Sequence, residues 1–478
     1  MTHGLSGASP FPKPELVAQA RQRSADFASV LALVAALLVP AIVNGYPLIF
    51  PDSAAYLRIG YGSYFGVERA SGYGLFLKPF LATGYGPWAA LCGQVLAIAA
   101  IVWAATRSLL RRAHAGIAIA VALVLSAWPW HSAQLMPDAF TAPLILLAWL
   151  VVSQRLGTAA TVGVGVATLL LLTMHYTHLV LFAVATLAAV VFGRAPKEGW
   201  RGMAARGGFP LALLVIAALV QLGANAHYLR RASVTPGGPI FLFARLNEDG
   251  LITPWLDRHC GETRVAHLCA LAPQLPRDSQ QLLWNRDTPL ARSIWQEGPA
   301  SFDRWTLVDE MAIANRGAIL ESPLRFTASS LRGAASQLVH FRALDDECPE
   351  HCRDPHREIW LTLSDLDPAG FPAYRSSAQA TTGLPVAAVR AITTPVTALA
   401  LLALLPILFL ARRRRDQELA ALVGAVIAAL LVNAALAGAL SDVHDRYQSR
   451  LAWLAVLVAA IAVYRLLVRT QEPTASAA

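Results

Sequence analysis

Five short stretches of the chain carry residue types that can do chemistry. The first, Pro51-Asp52-Ser53-Ala54-Ala55-Tyr56, follows an apolar run. A carboxylate held at a membrane surface beside aromatic groups has its pKa raised and can take a proton from a hydroxyl; the alternative is that Asp52 caps a short helix. The second stretch, Arg69-Ala70-Ser71-Gly72-Tyr73-Gly74 running on to Lys78, sets two cations in an aromatic, glycine-bearing loop. Arg grips phosphate bidentately and Lys adds a point charge, so Arg69 and Lys78 meet either a specific lipid phosphate or ordinary headgroups. In the third, Pro137-Asp138, the carboxylate is an N-cap for the next apolar run or, brought near Asp52, pushes one of the two pKa values upward. In the fourth, His175 and His178 flank Tyr176-Thr177. They are hydrogen-bonding groups for phosphate or sugar, a metal pair one turn apart, or plain interfacial residues. The fifth, Ser441-Asp442-Val443-His444-Asp445-Arg446-Tyr447-Gln448-Ser449-Arg450, sets Arg446 and Arg450 on one face of a helix start, where an anion is favoured. A bound phosphate accounts for them, or local pairing with Asp442 and Asp445.

The elements that must position these residues are membrane helices. Of 478 residues 56% are hydrophobic and 14% charged, against about a quarter charged in soluble domains. At about 17–25 apolar residues per span, the sequence predicts ten helices, near 27–46, 87–107, 115–131, 138–154, 157–175, 178–193, 209–228, 391–411, 417–440 and 450–469. Clusters of Arg and Lys (Lys13, Arg21, Arg23; Arg107, Arg111, Arg112; Arg155; Arg194, Lys197, Arg201, Arg206; Arg412 to Arg415; Arg465, Arg469) then share one side, the cytoplasmic one, with both termini. The net charge of +9 follows from this topology and calls for no nucleic-acid partner. The first apolar run lacks a small-residue cleavage signature and reads as a retained anchor. All five stretches fall on the opposite side. The spans themselves are nearly free of ionisable groups, with Gln94 and Asn433 the main polar residues at depth. An ion-coupled pathway near the midplane wants more, so the site belongs at the outer surface.

The expected organisation is a cytoplasmic segment 1–26, helices 1–7 within 27–228 with a first outer loop 47–86, a mainly helical outer domain 229–390, helices 8–10 within 391–469, and a tail 470–478. Within the outer domain, Leu307–Leu320 and Arg325–Phe341 have helical periodicity, and Thr235-Pro236-Gly237-Gly238-Pro239 reads as a turn. Cys260, Cys269, Cys348 and Cys352 all fall there, which in an oxidising compartment suggests two disulfides, Cys260 with Cys269 and Cys348 with Cys352 being the local reading among three connectivities that sequence does not separate; Cys348, His351, Cys352 and His356 have, as the rival, a metal-ligand-like spacing.

Together, the acidic first loop Pro51-Asp52-Ser53-Ala54-Ala55-Tyr56, the Arg69-Ala70-Ser71-Gly72-Tyr73-Gly74 stretch and the late His444-Asp445-Arg446-Tyr447 resemble the GT-C superfamily of membrane glycosyltransferases, such as protein O-mannosyltransferases and the lipid A aminoarabinose transferase. The proline-rich continuation after Arg-Tyr is replaced here by Gln448-Ser449-Arg450-Leu451. The resemblance covers the membrane part of the chain. It implies an all-α polytopic fold of about ten transmembrane helices with a periplasmic domain between helices 7 and 8. It also implies inverting transfer of a sugar from a polyprenyl-phosphate carrier to a glycan, lipid or protein acceptor, at the outer face of a bacterial inner membrane.

In that reading Asp52 is the general base and Asp138 orients the acceptor or sugar. Arg69, Lys78, His175, His178, Arg446 and Arg450 serve the donor and its phosphate. Cations alone can meet the charge of a departing phosphate, so neither cofactor nor metal is called for. The competing classes are a flippase or transporter of envelope precursors and a non-catalytic envelope assembly subunit.

Overall fold

The computed structural model describes residues 14–153, 156–194, 199–285, 287–295, 303–344 and 352–468. Lys13, Arg155, Lys197, Cys348, His351, Arg469 and the tail 470–478 lie outside them. The described residues are helical throughout, apart from loops and one isolated parallel bridge between Leu48 and Gln134.

In chain order the helices before the inserted domain are α1 (Pro14–Asn44), α2 (Ser53–Tyr61), α3 (Ser71–Leu81), α4 (Gly86–Leu109), α5 (Arg112–Leu125), α6 (Trp128–Ala133), α7 (Thr141–Ser153, entered through a 3-10 turn Pro137–Phe140), α8 (Thr158–Met174), α9 (Tyr176–Phe192) and α10 (Trp200–Leu229). The insertion holds α11 (Gly238–Glu248), α12 (Ile252–His259), α13 (Ala266–Leu271), α14 (Ser279–Trp284), α15 (Pro289–Trp295), α16 (Arg304–Glu321), α17 (Pro323–Val339), α18 (Glu358–Leu366) and α19 (Phe371–Ser376). The chain then returns through α20 (Val386–Arg413), α21 (Gln417–Leu440) and α22 (Asp445–Val463).

Six helices among the described residues are long and apolar enough to cross a membrane: Arg21–Asn44, Gly86–Leu109, Trp200–Leu229, Val386–Arg413, Gln417–Leu440 and Asp445–Leu466. The chain is therefore a membrane protein. The other four apolar segments, Arg112–Leu125, Pro137–Ser153, Thr158–Met174 and Tyr176–Phe192, are shorter. The sequence predicts an unbroken helix over 115–131, whereas α5 stops at Leu125. Pro129 has no amide hydrogen for a continuing helix, and Ser126 turns its hydroxyl back onto the Ala122 carbonyl and accepts from Trp128 N.

Basic residues predicted to share one side do gather at one end of the bundle. Asp26 pairs with Arg107 and Arg112, Arg465 with Asp416 and Glu418, and Arg412 donates to the Phe192 carbonyl. The nineteen helical steps from Arg446, at the start of α22, to Arg465, just past its end, rise about 28 Å, so Arg446 is carried to the other end.

The segment between α10 and α20 divides in two. Helices α11–α16 bury their own core around Ile240, Phe243, Trp255, Leu307 and Met311, with Val67 from the first loop added to it. Residues 341–344 and 352–384 instead pack into the main core through Cys352, Ile359, Leu363 and Tyr374. They also clamp the first loop, because Gln379 exchanges hydrogen bonds with both backbone groups of Ile49, and Tyr46 donates to Asp367 (2.8 Å). Cys260 and Cys269 form a disulfide, Cys352 is buried, and Cys92 on α4 is free and exposed.

Helix α17 lies on α21 at a glycine contact, Gly333 against Gly438. A Cβ on Gly333 would run into the Gly438 backbone, which cannot yield as a side-chain tip would. Gly333→Val is therefore expected to cost about 1–3 kcal/mol through overpacking and to lower the unfolding temperature of the detergent-solubilised protein. Gly223→Ala, where nothing lies within 4 Å, is the control and leaves it unchanged. Equal values for wild type and Gly333→Val would show that the two helices are not in contact.

Candidate functional site

The first loop is fixed before its chemistry is. Leu48 pairs with the backbone at 133–135 through two hydrogen bonds (Leu48 N to Ala133 O, 3.0 Å; Leu135 N to Leu48 O, 2.9 Å). Ser53 Oγ accepts from Phe50 N (3.0 Å) and donates to the Leu135 carbonyl (2.9 Å). On the other side of that backbone, Gln94 donates to the carbonyls of Ser132 (2.8 Å) and Gln134 (2.7 Å) and accepts from Tyr73 Oη. Asp52 and Asp138, far apart in sequence, are thereby held on neighbouring loops.

Neither carboxylate spends itself on capping. Asp52 occupies the N-cap position of α2 but makes no capping hydrogen bond, and Asp138 is the second residue of its 3-10 turn. Asp52 instead lies between two guanidiniums, bonded through Oδ1 to Arg69 and through Oδ2 to Arg446 (3.3 Å). Asp138 is paired through Oδ1 with Arg450, and Arg446 Nε stands 3.6 Å from its Oδ2. Arg446 thus bridges the two carboxylates, and the sequence-based alternative of local pairing gives way. Asp445 meets Arg342, and Asp442 meets Ser279, Gln280 and His444.

The innermost pair is the most enclosed, with 3% of the Arg450 side chain and 2% of the Asp138 side chain exposed. Asn433 accepts from Arg450 (3.0 Å) and donates to the Tyr447 carbonyl (2.6 Å) and to Gln448 (2.8 Å). The two polar residues that the sequence shows at depth, Gln94 and Asn433, are both engaged in holding this site. Above them the Arg446 guanidinium sits over the Phe50 ring at 3.9 Å from its centroid.

This cluster adjoins a cavity of about 1170 Å³ between the membrane helices and the inserted domain. Asp52, Arg69, His175, Arg446 and Arg450 line it, together with Glu68, Trp284, Asp442 and His444. Three expectations change. Asp138, expected to orient acceptor or sugar, is buried against Arg446 and Arg450 and does not line the cavity. Lys78 is exposed on the last turn of α3 and does not line the cavity; the helix carries its side chain elsewhere. His178 is buried away from the lining, bonded to Thr141 Oγ1 (3.2 Å) and the Leu171 carbonyl (2.6 Å), so it braces α9. His175 lines the cavity and accepts through Nδ1 from Thr177 N (3.2 Å) as the cap of α9.

The sequence gives no advance sign of Glu68, Trp284 or the lining role of Asp442, because each depends on contact with a distant element. Burial pushes the Glu68 carboxyl above its ordinary range, although Arg69 beside it pulls the other way. Burial also pushes Asp442 up, but hydrogen bonds from His444 and Gln280 outweigh it and hold the carboxyl well below the usual range. Gly237, in the predicted turn, approaches the Val67 carbonyl so closely that a Cβ would stand 2.6 Å from its oxygen. The inserted domain and the first loop meet there, at the residue before Glu68.

Comparison of the chain with protein-family models, with curated proteins and with solved structures finds no match in any of the three.

Breaking a buried ion pair leaves one uncompensated charge, whereas replacing both partners does not. Asp138→Asn or Arg450→Met alone is expected to cost about 3–5 kcal/mol in unfolding experiments on the solubilised protein. Asp138→Leu combined with Arg450→Met should recover most of that loss, and additive losses would argue against a direct pair.

A pH test addresses Asp442. Its folded pKa is depressed, so the stability that its charged form contributes is full above the unfolded value of about 3.9 and is lost as pH falls through the folded one. Asp442→Asn should lower the unfolding temperature at pH 7, and the gap to wild type should narrow only below about pH 4. A gap constant down to pH 2.5 would contradict the assignment.

Proposed function

We propose that the chain is a membrane glycosyltransferase that moves a sugar from a polyprenyl-phosphate carrier to an acceptor hydroxyl, with Asp52 as general base. One observation carries the reading: Asp52, held by Arg69 and by an Arg446 that also reaches the buried Asp138, lines an open cavity at one end of an apolar helix bundle, where a lipid-borne headgroup and a water-soluble molecule can meet.

The chemistry follows from the charges. The donor phosphate docks against Arg69 and Arg446, whose guanidiniums already accommodate an anion in Asp52. Phosphate and carboxylate compete for the same donors, so docking loosens the hold on Asp52 and leaves an oxygen free to accept a proton. The acceptor hydroxyl gives that proton to Asp52 as its oxygen bonds to the anomeric carbon. The bond from that carbon to the phosphate oxygen breaks on the opposite face, and polyprenyl phosphate departs with the electron pair. Asp138 stays charged beneath Arg446 and Arg450 and keeps both oriented. Preorganised cations at the point where charge develops are a large source of rate in such sites.

The same reading takes all ten apolar helices as spans. The seventeen residues of Pro137–Ser153 rise about 26 Å, at the short end of what crosses a bilayer. It sets the cavity on the outer face of a bacterial inner membrane, with both termini cytoplasmic, since the arginine clusters gather at the end of the bundle opposite the site.

Transfer of radiolabelled sugar from membrane-bound polyprenyl-phosphate donors to cellular acceptors tests the base. Asp52→Asn at matched expression should lower transfer by about 10²–10⁴-fold. Equal transfer by wild type and Asp52→Asn would remove Asp52 from the chemistry.

A further inference from the structure

The end of the cavity formed by the inserted domain differs in chemistry from the arginine end. Trp284, the last residue of α14, lines it with 40% of its surface exposed. A large aromatic side chain is ordinarily covered, and this one keeps an exposed part although Trp295 stacks on it with ring centroids 5.3 Å apart and planes 12° from parallel, Phe241 lies tilted against it at 6.3 Å, and the Arg69 guanidinium reaches over the ring. Trp295 is itself fixed by donating its indole N–H to the Leu283 carbonyl, so the platform is rigid. Amide side chains surround it. Gln280, Gln281 and Asn285 all line the cavity, and Asn285 Nδ2 donates to Gln281 Oε1 (3.2 Å).

An aromatic face ringed by groups that both donate and accept hydrogen bonds suits few ligands. An acyl chain wants walls without amides, and a phosphate wants cations in place of indole. A pyranose ring fits both halves, because its axial C–H bonds make one apolar face that packs on an aromatic ring while its hydroxyls project from the rim toward amides. We infer that Trp284 and the amides of α14 and Asn285 form a saccharide-binding subsite.

Its position relates it to the chemistry. The Arg69 guanidinium lies 5.9 Å from the centre of the Trp284 ring and is bonded to Asp52 on its other side. A sugar on the indole therefore rests one residue away from the carboxylate. The assignment rests on the proposed transfer reaction for its purpose, but its test does not. The sugar held is either that of the donor or one belonging to a glycan acceptor, and the two share the same ring chemistry.

The test is saturation-transfer NMR on the full chain in detergent or nanodiscs, with methyl pyranosides of gluco, galacto, manno and N-acetylglucosamine configuration as probes. No turnover is involved, so the result is independent of whether Asp52 acts as a base. Wild type should transfer saturation to the ring protons of at least one pyranoside. Trp284→Ala should reduce that signal at least fivefold, and Trp284→Phe should keep most of it, with unfolding temperatures of both variants matching wild type to show that the domain remains folded. Displacement of the bound pyranoside by a polyprenyl-phosphate sugar identifies the donor's sugar as the natural occupant; persistence alongside it identifies the acceptor's. Absence of saturation transfer to any probe with wild type, or an undiminished signal with Trp284→Ala, overturns the inference.

Discussion

Arg446 is asked to satisfy two carboxylates at once, and much of the architecture follows from that demand. A cation removed from water needs anionic partners, and carboxylates removed from water need cations, so Asp52, Asp138, Arg446 and Arg450 are stable in this setting only together. To bring them together the last helix must enter beside the first loop and beside the turn ahead of α7. Gln94 and Asn433 supply hydrogen bonds that the neighbouring backbone and Arg450 would otherwise lack. Removing one member leaves the others with a debt of desolvation that no nearby group covers. Such a cluster is poor at adding stability relative to a hydrophobic core, but it is effective at defining one arrangement of the helices.

Part of this was legible in the sequence. Cations set apart from the main arginine clusters, and lone polar residues inside apolar runs, mark positions that need partners, and the marks at Arg69, Arg446, Arg450, Gln94 and Asn433 led to groups that do have them. What the sequence withheld was who pairs with whom. Asp52 and Asp138 have the neighbours of ordinary helix caps, and only the approach of arginines from distant elements turns their carboxylates away from the backbone. Lys78 and Arg69 look alike as cations in one loop, yet α3 begins between them, and its rotation carries Lys78 out of the cavity. Trp284 is one of twelve tryptophans, and its neighbours in sequence do not say that it lines the cavity beside Arg69. The break after Leu125, by contrast, was readable from Ser126 and Pro129.

The inserted segment has a divided loyalty. Helices α11–α16 close over a core of their own, while residues 352–384 belong to the membrane bundle and grip the first loop through Gln379 and Asp367. Helix α17 connects the two. Its small residues let it lie directly on α21, and its other side leaves Leu324, Leu331 and Leu338 exposed at helical spacing. Because α17 shares the surroundings of a helix that itself exposes Leu431 and Leu440, this apolar stripe continues the bundle's own surface. The cavity thus has one wall tied to the bundle and one built by a separately packed domain, with the Gly237 and Val67 contact between them.

The distance along the chain between Asp52 and Arg446, 394 residues, has a consequence for biosynthesis. A ribosome delivers the first carboxylate long before the arginine that meets it, and the membrane-crossing helices between them are made in the interval. Until α22 is inserted, Asp138 has no Arg450 and the cavity lacks one wall, so a chain shortened ahead of residue 446 places its remaining helices in the membrane without a closed site. The helix that begins at Asp445 is therefore the element that completes the site.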